Sequence, residues 1–134
     1  MKMPCMAGQK PKCVFIVDDD PDICDTMQMV LECYGYRVVT AEGGADALDK
    51  LTKGENPCLI LLDLMMPEMN GIQLRHELLR DPELAAIPVV IVSAAGDIAA
   101  KAAALGVEGL SKPINMDVLL ATIQRFGCTT VDAN

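Results

Sequence analysis

Three short apolar runs constrain what this chain can fold into. They are "CVFIV" at 13–17, "CLILL" at 58–62 and "PVVIV" at 88–92. Each is continuous rather than alternating, and each is rich in Val, Ile and Leu. A strand with one wet face alternates apolar and polar residues, whereas a strand buried on both faces does not. The runs therefore point to a parallel sheet covered by helices on both sides. The segments between them have helical spacing. Ile23, Met27, Val30, Leu31 and Tyr34 share one helical face, as do Met116, Leu119, Leu120 and Ile123. Asp22 and Asn115 stand where N-caps belong, and Gly35 and Gly127 stand where helices stop.

The spacing predicts strands over 13–17, 37–40, 58–62, 88–92 and 108–111. They alternate with predicted helices over 22–34, 44–53, 71–80, 97–105 and 115–126. Five βα units in strict alternation make a doubly wound, five-stranded parallel α/β domain. A length of 134 residues suits one such domain, read here as residues 13–127 between tails at 1–12 and 128–134. Only 3% of the chain is aromatic and there is no Trp, so the core is aliphatic with Met as filler.

Composition also excludes partners. The net charge of −8 and the scattered Lys and Arg disfavour nucleic acid. No apolar run is long enough to span a bilayer, and "MKMPCMAGQKPKC" lacks the apolar centre of a signal peptide. These features lead us to expect a cytoplasmic protein with no membrane partner. The six cysteines form no CxxC pair and are read as reduced thiols serving as small hydrophobes.

Function in an open α/β sheet collects at the carboxyl ends of the strands. After the first run come Asp18, Asp19 and Asp20. After the third comes Asp63, opening "DLMMPEMNG". Ser93 follows the fourth, and "SKP" with Lys112 follows the fifth. Carboxylates sharing a pocket cannot all ionise cheaply without a cation. Mg²⁺ would resolve this through oxygen ligands, and it also neutralises a phosphoryl group in transfer. Asp63 is then a candidate nucleophile forming an aspartyl phosphate. Lys112 offers a movable positive charge and Ser93 a hydrogen-bond donor. Asp20 reads as a turn residue before Pro21 rather than a third ligand. His76, the one histidine, sits on an amphipathic helix away from this edge.

Together "VFIVDDDPDI", "LILLDLMMPEMNG", "IPVVIVSA" and "LSKPI" resemble the receiver domain of two-component response regulators, from about Val14 to Phe126. The resemblance is to the chemotaxis-type single-domain fold. It implies a flavodoxin-like (βα)5 sheet of strand order 2-1-3-4-5. It also implies that Asp63 is the phosphoacceptor and that Asp18 and Asp19 are the acidic pair. Asp19 would be the more direct Mg²⁺ ligand, and the backbone carbonyl of Met65 would complete the metal site. Mn²⁺ would substitute for Mg²⁺. Ser93 matches the switch hydroxyl, and Lys112 the lysine before a cis-proline, here Pro113. The implied phosphodonor is a histidine kinase or a His-containing phosphotransfer protein. An output protein would be a further partner, and a homodimer is compatible with the family. Such a domain assists its own phosphorylation and dephosphorylation and is not otherwise an enzyme.

Two departures concern output. The position three before Lys112, aromatic in typical receivers, is Gly109, and Tyr34 and Tyr36 match other places. The stretch from Ser93 to Lys112 is also shorter than usual, with the shortfall expected around Gly96 to Leu105. Signalling is therefore expected through ordering of that loop and helix rather than an aromatic flip. Met65 and Ala95, two residues beyond Asp63 and Ser93, cannot orient a water through their side chains, which predicts a long-lived phospho-state. Competing readings are a pseudo-receiver that only mediates contacts, a fragment of a hybrid kinase and a Mg²⁺-dependent aspartyl phosphatase. Met65, standing where such phosphatases carry a second Asp, argues against the last.

Overall fold

The computed structural model describes residues 12–64, 66, 70–94, 96 and 98–128. Five strands run β1 (Cys13–Val17), β2 (Val38–Ala41), β3 (Pro57–Asp63), β4 (Val89–Ser93) and β5 (Glu108–Ser111). Helices α1 (Pro21–Cys33), α2 (Gly44–Thr52), α3 (Gly71–Leu79), α4 (Pro82–Ala85), α5 (Ile98–Leu105) and α6 (Met116–Arg125) connect and follow them. All strand pairs are parallel, in the order β2-β1-β3-β4-β5. This is the sheet expected from sequence. The short α4 was not expected, and Asp81 starts it by accepting from the Glu83 amide at 2.9 Å.

The apolar runs are continuous because the sheet is covered twice. Phe15, Val17, Ile60 and Leu62 face one layer with Ala47, Leu51, Leu74, Leu78, Ile98 and Ala102, from α2, α3 and α5. Val14, Ile16, Leu59 and Leu61 face the other, with Cys24, Met27, Leu31, Leu119 and Ile123 from α1 and α6. Alternate residues of one strand thus enter different cores, and neither face is left for polar groups. Each large side chain fully buried this way contributes about 1.5–3 kcal/mol relative to exposure. No helix among the described residues is long and apolar enough to cross a membrane.

Two sequence expectations are corrected. The N-cap of α1 is Asp20, not Asp22, and its Oδ1 accepts from the Asp22 amide at 2.9 Å and the Ile23 amide at 3.4 Å. The reason is Pro21. With no N–H and a preset φ it takes the first helical position, so the cap is the residue before it. Asn115 does cap α6, accepting from Val118 N at 3.1 Å. Gly35 and Gly127 follow α1 and α6 at φ of 92° and 82°, where a side chain would be strained.

The second correction concerns the cysteines. Cys58 and Cys128 are joined in a disulfide with a Cα–Cα distance of 5.5 Å. Their separation of 70 residues hides the pairing in sequence. The fold returns the end of α6 to the start of β3, so Cys128, read as tail, is buried against the body. Cys58 Sγ also lies 3.2 Å from the Cys13 carbonyl oxygen, to which it could donate only as a free thiol. Cys13, Cys24 and Cys33 are free thiols. Burial pushes the Cys13 and Cys24 thiols up to about 11, so both stay neutral. Cys5 lies outside the described residues.

Candidate functional site

The sequence-predicted residues come together at the carboxyl edge of the sheet because β1, β3, β4 and β5 end there side by side. Asp63 is the last residue of β3 and is in register with Val92 of β4, one residue before Ser93. Ser93 is in register with Ser111, and the Lys112 amide donates to the Ser93 carbonyl at 3.0 Å. That bond fixes where the lysine leaves β5. The Lys112–Pro113 peptide is cis.

Asp18 and Asp63 are buried, and so is Ser93, while Asp19 is exposed. Asp18 Oδ1 accepts from the Asp20 amide at 2.9 Å, and its Oδ2 accepts from Lys112 Nζ at 3.0 Å. The same ammonium lies 3.5 Å from Asp63 Oδ2. Burial works against the charge on Lys112. Hydrogen bonds and attraction to Asp18 and Asp63 outweigh it, holding the ammonium above the ordinary Lys range.

Oxygens from Asp18, Asp19 and Asp63 all lie within 4.8 Å of one another. Lys112 is a cation within 4 Å of two of these carboxylates, Asp18 and Asp63. A hard divalent cation with oxygen ligands fits this donor set, and no soft ligand stands in it. The Met65 carbonyl lies outside the described residues, as does Ala95. Asp20 has its carboxylate on the α1 amides and does not join the cluster. His76 is exposed on α3.

Gly71 was quoted in sequence only as the end of a motif, and the structure gives it a role. A Cβ there would sit 2.7 Å from the Asp63 carbonyl oxygen and 2.8 Å from Leu64 Cα. The start of α3 lies directly on the backbone of Asp63 and Leu64, and the Gly71 amide donates to Leu64 O at 3.2 Å. Asn70 and Gln73 hold that start in a reciprocal capping box.

At Gly109 the structure goes further than the sequence. A Cβ there would meet Ile98 Cγ1 and Ala102 Cβ, each at 3.0 Å. Helix α5 has closed onto β5, so the space beside residue 109 holds a helix rather than an aromatic ring. Tyr34 is exposed and Tyr36 is packed in the core beside α1.

Residues 14–124 match the family described as the response regulator receiver domain. The chain belongs to that family. This receiver is 35% identical over 113 residues to Protein PilH of Pseudomonas aeruginosa, covering 82% of this chain and 93% of PilH. Several longer relatives are regulatory proteins of which the chain spans only 26% to 56%. Among solved structures, the receiver resembles the chemotaxis protein CheY4 of Vibrio cholerae, with a TM-score of 0.76 and 29% identity. The match covers 87% of this chain and 99% of that one. The response regulator TrrA of Thermotoga maritima, solved with Mg²⁺ and BeF, aligns with a TM-score of 0.75 and 27% identity. It covers 86% of this chain and 98% of TrrA. The acidic cluster found here fits the Mg²⁺ pocket of receiver domains.

Proposed function

We propose that Asp63 accepts a phosphoryl group from a phosphohistidine on a histidine kinase or a His-containing phosphotransfer protein. The observation that carries this is the Lys112 ammonium set between Asp18 and Asp63, with the carboxylate of Asp19 in the same cluster. Asp63 Oδ attacks phosphorus, the P–N bond breaks, and the electron pair leaves with the donor imidazole. Asp18, Asp19 and Asp63 would hold Mg²⁺, and Mn²⁺ serves in its place. The ion supplies neutralising charge for the phosphoryl oxygens. The Lys112 ammonium then pairs with a phosphoryl oxygen, and the Ser93 hydroxyl donates to another. Loss of the group to water returns Asp63 to a carboxylate. The domain acts on no separate substrate.

The donor has a surface to meet. Ile23, Met27, Pro113, Ile114 and Met116 line an apolar groove between α1 and the β5–α6 loop, with Lys112 and Ala94 at its edge. We place the protein in the cytoplasm with its kinase. A reducing compartment would open the Cys58–Cys128 bond there. Output passes to a partner protein or a second copy of the chain, through a change in the position of α5.

Incubation with acetyl phosphate and Mg²⁺, read by intact mass and sedimentation, tests the proposal. Wild type gains one phosphoryl group and Asp63→Asn gains none. A wild type that stays unmodified refutes the proposal and leaves a module that works by contact alone.

A further inference from the structure

We infer that Cys24 is a positioning residue for the acidic pair, acting by holding the peptide plane between Asp18 and Asp19. The inference rests on the reading of those two residues as metal ligands. Strand β1 ends at Val17, and the Asp18 amide makes the last bond to β2, donating to Ala41 O at 3.1 Å. The Asp18 carbonyl comes after the end of that ladder. It sits next to a buried side chain, where an unmet acceptor is costly. The buried Cys24 thiol meets it, with Sγ 3.3 Å from the Asp18 oxygen.

The geometry follows from the helix. Cys24 is the fourth residue of α1, and its amide donates to Asp20 O at 3.1 Å. Helical side chains lean toward the N-terminus, so this one points back onto the loop that precedes α1. Asp18 C=O and Asp19 N–H belong to one rigid peptide plane. Tilting that plane changes ψ of Asp18 and φ of Asp19 together, and so changes how the two side chains stand to each other. The Asp18 carboxylate is already tied to the Asp20 amide and to Lys112. The exposed Asp19 has no such ties among the described residues. Its aim therefore depends on the plane that Cys24 holds.

The test separates the hydrogen bond from packing. Cys24→Ser keeps a donor but buries a hydroxyl; Cys24→Val keeps an apolar side chain of similar size but removes the donor. Mg²⁺ affinity is read by calorimetry and melting temperature by circular dichroism, on the full chain. Cys24→Val should bind Mg²⁺ about threefold to tenfold more weakly, and Cys24→Ser within about twofold of wild type. Melting temperature need not follow that order. Affinity unchanged in Cys24→Val, or falling in step with melting temperature in both variants, overturns the inference. If the variants do not fold, a crystal structure of the wild type decides it. Sγ within about 4 Å of the Asp18 oxygen supports the role and a rotamer turned away refutes it. Wild type that binds no Mg²⁺ refutes the metal reading and this inference together, whereas binding that ignores residue 24 refutes only the inference.

Discussion

Lys112 Nζ and Asp18 Oδ2 lie 3.0 Å apart although 94 residues separate them in the chain. That ion pair joins the first strand end to the last and sets the resting charge of the site. Its carboxylate partners are buried while the ammonium keeps some contact with water. Lys112→Met should therefore destabilise the metal-free protein by about 1–2 kcal/mol, discounted for that exposure. Mg²⁺ should recover more stability in the variant than in wild type, because the carboxylates no longer share a cation. Urea denaturation with and without Mg²⁺ measures both effects; an equal Mg²⁺ response would contradict the pairing. The pH dependence has a definite sign. The folded ammonium is held above its ordinary value of 10.5, so its stabilisation is fully present below that value and is lost as pH rises through the folded value. Wild type should lose its advantage over Lys112→Met only in alkali.

Gly71→Ala tests the contact between α3 and the backbone of Asp63. A Cβ 2.7 Å from the Asp63 carbonyl oxygen forces the helix start or the strand end to move. We expect a loss of about 1–3 kcal/mol in stability. Phosphorylation by acetyl phosphate should slow by more than the fraction unfolded explains. A rate equal to wild type per folded molecule would show that α3 does not set the position of Asp63.

Gly109→Phe asks whether an aromatic can be restored. Ile98 and Ala102 occupy the space, so the ring must displace α5. Stability should fall by about 1–3 kcal/mol, with amide shifts in Ile98–Leu105 by NMR. A variant as stable as wild type would mean that α5 yields freely and that the close packing is not a constraint.

Reduction should weaken the protein. Opening a crosslink across 70 residues removes about 4 kcal/mol in the chain-entropy account. Non-reducing peptide mapping should recover Cys58 and Cys128 in one linked product. Cys58→Ser and Cys128→Ser should each lower the melting temperature, and added reductant should then change nothing further. A melting temperature that ignores reductant in wild type would exclude the bond in solution.

The apolar runs by themselves determined the parallel sheet, because a strand covered on both faces has no place for alternating polar residues. The strand ends by themselves assembled the list Asp18, Asp19, Asp63, Ser93 and Lys112, because parallel strands deliver their carboxyl ends to one edge. Asp20 as the cap of α1 was missed, although Pro21 at the first helical position was the signal that could have placed it. What the sequence could not hold were relations across distance. The Cys58–Cys128 bond joins residues whose neighbourhood exists only after α6 has packed. Gly109 read as a missing side chain, yet tertiary structure made it a close approach of α5 to β5. Cys24 read as one more small hydrophobe until α1 turned its thiol onto the Asp18 carbonyl. Patterns in sequence report burial and strand order, which depend on residue type; which atoms then meet depends on how helices settle on the sheet, and only the packed structure decides that.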